Sequence, residues 1–221
     1  FNSYADAYIT FGFSSEAADC FVSDDPSYKV AKKATSNGFY GVYLIENPNP
    51  SYEGDPVFTV ETKEGGIKKF YKRNQGWIYA LEQSKTTDVK ITLNADWKAR
   101  KGEFDYGALY IPDSTKYNIT IDLNGYTIDR GLKFYSTTGW VFYMDTYGSL
   151  TIMDSSEEQT GTITGAYNST KNAFADSFGG AFYVDYGTLY IKGGNITGNI
   201  AEYGAGIYCD DQDDASVYIQ G

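Results

Sequence analysis

A short word, apolar–Tyr–apolar, appears four times in the second half of this chain. It reads Leu109-Tyr110-Ile111, then Phe142-Tyr143-Met144, Phe182-Tyr183-Val184 and Ile207-Tyr208-Cys209. A second word follows each copy: Ile119-Thr120-Ile121, Leu150-Thr151-Ile152, Leu189-Tyr190-Ile191 and Val217-Tyr218-Ile219. A third closes the first three rounds: Tyr126-Thr127-Ile128, Thr162-Ile163-Thr164 and Asn195-Ile196-Thr197. The central Tyr of the first word (Tyr110, Tyr143, Tyr183, Tyr208) recurs after 33, 40 and 25 residues. Uneven spacing with a fixed word order means loop insertions on a common coil. A sandwich of hairpins needs no such order. A right-handed parallel β-helix does, because each coil adds one parallel strand to each of three sheets. The fold class expected is therefore all-β, a solenoid.

Strand alternation then assigns the two faces. Phe142, Met144, Phe182, Val184, Leu189 and Ile191 point inward; Tyr143, Tyr183 and Tyr190 point outward. Cys209 falls in the inward slot of Met144 and Val184, which predicts a buried, unpaired thiol. A bridge to Cys20 would require the N-terminal region to reach the fourth coil.

Residues 88–221 are assigned to the solenoid and residues 1–87 to a cap. A coil stack left open exposes apolar side chains and strand edges, so its first coil needs a cover. Within that region, "ADAYITFGF" and "FYGVYLIE" read as strands, and "VFTVETKEGGIKKFY" as a hairpin turning at Gly65-Gly66. Trp77, Ala80, Leu81 and Ser84 at helical spacing predict one short helix over 77–84. The chain stops after a strand of the second set with no capping pattern. That predicts a longer parent protein with further C-terminal domains.

Composition narrows the chemistry. The formal charge of −11 disfavours nucleic acid and anionic membrane surfaces as partners. No apolar run approaches the roughly 20 residues that span a bilayer. Histidine is absent, which removes imidazole bases, His triads and His zinc sites. Cys20 and Cys209 have no metal-ligand spacing.

"DVKITLNADW", "NITIDLNGYTI" and "GSLTIMDSSEEQTGTITG" resemble the right-handed β-helix surface proteins of gut Firmicutes. "GGAF" at Gly179–Phe182 and "GAGI" at Gly204–Ile207 are similar to half of the repeat in polymorphic outer-membrane adhesins. The resemblance spans roughly Trp77 to Gly221. It implies the coil and a surface, adhesin-like setting; it implies no shared active site, since such families are grouped by their coil.

Three constellations could carry chemistry. Tyr110, Tyr143, Tyr183 and Tyr208 form an outward column suited to stacking on sugar rings, or simply to covering a sheet face. Asp145, Asp185 and Asp210 follow three of these tyrosines. Such a column could bind calcium, act as acid and base on sugars, or close turns by accepting backbone N–H bonds. Asp210, Asp211, Asp213 and Asp214 crowd one loop, where calcium is the cofactor that would fit, and a solvated acidic loop is the plainer reading.

No catalytic residue is assigned. The expectation is a non-catalytic, extracellular or cell-surface β-helix module that attaches to a glycan or a host-surface ligand. Two alternatives stay open: a polysaccharide lyase or glycoside hydrolase, and a carbohydrate-binding module of a larger enzyme.

Overall fold

The computed structural model describes residues 8–19, 28–46, 55–99, 109–169, 177–210 and 214–220. They fall into two compact units, residues 1–54 and 55–221. In the first, β1 (Tyr8–Phe13), α1 (Ser15–Asp19), β2 (Tyr28–Ala34) and β3 (Tyr40–Glu46) follow in order. The strands form an antiparallel sheet in the order β1-β3-β2. β1 and β3 are the strands that the sequence announces; β2 and the five-residue α1 are additions to that reading.

The second unit opens with the expected hairpin, β4 (Phe58–Thr62) and β5 (Gly66–Phe70), paired antiparallel. Helix α2 (Arg73–Gln83) begins four residues before the helical spacing suggests. Then the coils start. β6 (Val89–Leu93), β9 (Asn118–Asp122), β12 (Ser149–Met153), β15 (Gly187–Ile191) and β18 (Ala215–Ile219) stack in parallel, and β4 joins β6 antiparallel. β7 (Trp97–Lys98), β10 (Thr127–Asp129), β13 (Thr162–Thr164) and β16 (Asn195–Ile196) make a second parallel sheet. β8 (Leu109–Ile111), β11 (Phe142–Met144), β14 (Phe182–Val184) and β17 (Ile207–Cys209) make the third. This is a parallel β-solenoid of about four turns.

The register explains why the words repeat. Val89, Ile119, Leu150, Leu189 and Val217 lie directly over one another, as do Ile91, Ile121, Ile152, Ile191 and Ile219. On the third sheet Leu109, Phe142, Phe182 and Ile207 form one inner column and Ile111, Met144, Val184 and Cys209 the next. The rings of Phe142 and Phe182 stack with centroids 5.0 Å apart. Each such side chain removed from water stabilises the fold by about 1.5–3 kcal/mol.

The first coil is closed by aromatic bulk. Trp97 heads the inner column of the second sheet and is fully buried, with Phe58 edge-on at 4.8 Å and Trp77 of α2 at 6.0 Å. The last coil differs. Ile207 is half-buried, while Cys209 and Ile219 are exposed. Cys209 holds the inward register, opposite Val184, and is a free thiol. Its expected burial is corrected: among the described residues, β17 pairs only with β14, so no strand covers its other edge.

Candidate functional site

The tyrosine column forms as the alternation requires. Tyr110, Tyr143, Tyr183 and Tyr208 are register partners on the outer face of the third sheet. Successive ring centroids lie 5.4, 5.4 and 5.5 Å apart, the last pair nearly parallel at 3°. All four residues are half-buried.

What the sequence did not announce is the partner of each hydroxyl. The Tyr110 hydroxyl donates to Asp145 Oδ2 at 2.8 Å, that of Tyr143 to Asp185 Oδ2 at 2.8 Å, and that of Tyr183 to Asp210 Oδ2 at 3.3 Å. Each Tyr reaches the Asp one coil further on, so two columns noted separately are one ladder. A phenol bonded to a carboxylate makes a charge-assisted bond, stronger than a neutral pair. In the first coil the position of Asp145 is taken by Pro112, which follows Ile111 directly.

Trp140 and Phe178, just ahead of the strands, close the sides of the column. The indole of Trp140 lies 5.2 Å from the Tyr143 ring and 5.5 Å from that of Tyr183, and its Nε1 donates to the Phe178 carbonyl at 2.6 Å. Phe178 meets Tyr208 at 4.6 Å and Tyr203 at 5.3 Å. Burial pushes the Tyr143 phenol far above its ordinary range, and the hydrogen bond to Asp185 adds to this. Tyr183 moves the same way, through burial and then the charges of Asp185 and Asp210. Both shifts keep these phenols protonated, as donors to the aspartates must be.

Two further aspartates are buried at the turns that end β9 and β12. Asp122 accepts the amides of Asn124 and Ser155 and pairs with Lys90 at 2.9 Å. Asp154 accepts the amides of Gly125, Ser156 and Gly161. Burial alone would raise both carboxyls. For Asp122 the bonds to Lys90 and Ser155 outweigh it, for Asp154 those to Ser156, Gly161 and Gly125, and both sit below their ordinary value. These carboxylates knit adjacent coils together; their words, "IDLNG" and "IMDSS", were visible only as strand endings.

Of the acidic loop, Asp210 serves the ladder and Asp214 is exposed, its carbonyl accepting the Gly187 amide at 3.1 Å. Asp211 and Asp213 lie outside the described residues. Among the described residues no three His, Cys, Asp or Glu side chains converge as a metal site would require. No family model, curated protein or solved structure matches this chain.

Proposed function

We propose that this chain is a non-catalytic, extracellular attachment module that holds glycans against aromatic rings on the outside of its solenoid. The observation that carries the reading is the use to which the aligned carboxylates are put. Asp145 and Asp185 each accept a tyrosine hydroxyl at 2.8 Å. Cleaving a glycosidic bond takes two carboxyl groups about 5–5.5 Å or 6.5–9.5 Å apart, in environments that push their pKa values apart. Aspartates given the same partner in successive coils have no such division of labour. Aromatic rings, in contrast, are plentiful on the outer surface and rigidly held, and flat rings suit the apolar faces of sugars. The adhesin-like wording of the repeats and the acidic surface fit the same setting.

The test is a glycan array probed with the purified chain, with and without calcium, beside hydrolase and lyase assays on the glycans that bind. Binding without turnover is expected, unchanged by calcium. Turnover abolished by Asp145→Asn or Asp185→Asn would make the protein a carbohydrate-active enzyme.

A further inference from the structure

The rings best placed for a ligand are not those of the ladder. At the corner between the third sheet and the long sheet, three consecutive coils each carry a tyrosine: Tyr147 and Tyr186 two residues ahead of the register partners Ser149 and Thr188, and Tyr117 one residue ahead of their partner Asn118 in the coil before. Tyr147 is 76% exposed and Tyr117 45%. Tyr186 is half-buried, its ring centroid 6.0 Å from that of Tyr147. An exposed phenol adds little to the core, so nothing in the packing calls for an aromatic residue at Tyr147.

The corner beneath the rings is built to hold them. A Cβ on Gly148 would lie 2.8 Å from the Tyr117 carbonyl oxygen. One on Gly187 (φ +84°) would lie 2.3 Å from the carbonyl oxygen of Thr146. Only glycine lets these two coils seat this tightly on the ones before, and ahead of Gly148 the chain turns Tyr147 out to solvent. Thr146, buried, locks the same corner: its hydroxyl donates to the Thr115 carbonyl at 2.9 Å and accepts the Gly148 amide at 3.0 Å. The backbone that carries the rings is therefore fixed before any ligand arrives, which lowers the entropy lost on binding.

Polar groups flank the ridge on its long-sheet side. Asn118, Ser149, Thr188 and Ser216 are register partners there, one per coil. Ser149 and Thr151 both donate to Asn118 Oδ1 at 2.9 Å, and Asn118 Nδ2 donates to Thr120 at 2.7 Å. The Ser149 hydroxyl is thereby pre-oriented and keeps its acceptor lone pairs, while Thr151 is buried. Aromatic faces beside an ordered row of hydroxyls match a pyranose chain, which has apolar C–H faces and a hydroxyl rim. Successive coils are about 4.8 Å apart, so Tyr117 to Tyr186 spans roughly 10 Å, room for two or three sugars along the axis. The formal charge of −11 disfavours an anionic polymer.

We infer that the Tyr117–Tyr147–Tyr186 corner is a binding site for an uncharged polysaccharide lying along the solenoid axis. This rests on the glycan-attachment reading and specifies its site and its ligand class. The experiment is affinity electrophoresis of the whole chain through gels containing neutral polysaccharides (a β-glucan, a xylan, a galactomannan) or anionic ones (polygalacturonate, heparin). Retardation by a neutral polymer is expected. Tyr147→Ala combined with Tyr186→Ala should weaken it about tenfold, as loss of two stacking contacts implies. The thermal midpoint should hold, and Tyr183→Phe in the ladder should leave binding intact. Undiminished binding in the double variant would overturn the corner site while leaving glycan attachment standing. Retardation by anionic polymers alone would overturn the ligand class. Retardation by none of them, with an empty glycan array, would sink the attachment reading and this site with it.

Discussion

Tyrosines climb this solenoid along two lines, and the lines have opposite fates. On the third sheet, Tyr110, Tyr143, Tyr183 and Tyr208 lie half-buried, with hydroxyls of the first three on carboxylates and Trp140 or Phe178 against the rings of the last three. At the corner, Tyr147 stands 76% exposed with the Tyr186 ring tilted against it at 6.0 Å. Both lines recur once per coil, so periodicity does not tell them apart. The difference comes from neighbours. Tyr143 and Tyr183 each have an Asp in the next coil, two residues past their register partner, and the Trp140 ring arriving from a loop. Tyr147 and Tyr186 each have a glycine after them, and Tyr147 stands largely in solvent. The same residue type lies packed along the sheet face in one line and, at Tyr147, stands out into solvent in the other.

The largest effect that would break this contrast is on stability. Tyr143→Ala with Tyr183→Ala removes two half-buried rings and leaves Asp185 and Asp210 without their phenols. A loss of about 4 kcal/mol in urea unfolding is expected, against under about 1 kcal/mol for Tyr147→Ala with Tyr186→Ala. Equal losses from the two pairs would erase the distinction.

Next comes the carboxylate itself. Asp185→Ala takes away a charged acceptor from a half-buried phenol and should cost about 1.5–3 kcal/mol. Asp185→Asn, which keeps an acceptor oxygen, should cost less. If the two variants unfold alike, the hydrogen bond contributes nothing and only the rings matter.

The pH dependence separates the ladder from the turn aspartates. Tyr143 and Tyr183 have folded pKa values raised above the ordinary 10.0. Their contribution is complete below pH 10 and is lost as the pH rises above it. Tyr143→Phe and Tyr183→Phe should flatten the alkaline limb of a stability profile. Asp122 and Asp154 lie below their ordinary value of 3.8, so their contribution is present above that pH and falls away as acid carries the chain through the folded values. Asp122→Asn and Asp154→Asn should flatten the acid limb and leave the alkaline one alone.

The coil was legible in the sequence because its cause is periodic. Inward slots filled by Leu109, Phe142, Phe182 and Ile207 must repeat in the order in which the chain visits the sheets. The Tyr and Asp columns were legible as columns. Their bond was not, because Tyr143 and Asp185 stand 42 residues apart and meet only through a register shift of one coil. Trp140 and Phe178 sit in connecting loops that have no period to betray them. β2 also escaped the reading: "YKVAKKA" interleaves lysines with small residues and looks like a solvated stretch until β3 pairs with it. Cys209 was placed in the right slot and given the wrong exposure, since alternation reports direction and says nothing about what lies on the next edge.

That slot supplies the smallest and sharpest comparison. Val184 and Cys209 are register partners one coil apart, both inward; Val184 is wholly buried and Cys209 is exposed. Val184→Ala should therefore cost about 2 kcal/mol, the transfer of two methyl-sized groups plus a cavity that packed neighbours cannot close. Cys209→Ala should fall within about 0.5 kcal/mol of the parent, as surface changes do. A thiol reagent should label Cys209 in the native state without denaturant, though more slowly than a free thiol, because burial and then the charge of Asp210 raise its pKa and deplete the reactive thiolate. Complete protection of Cys209 in the native chain, with a stability loss on Cys209→Ala matching that of Val184→Ala, would mean that this edge is covered in solution and that the two ends of the solenoid are alike.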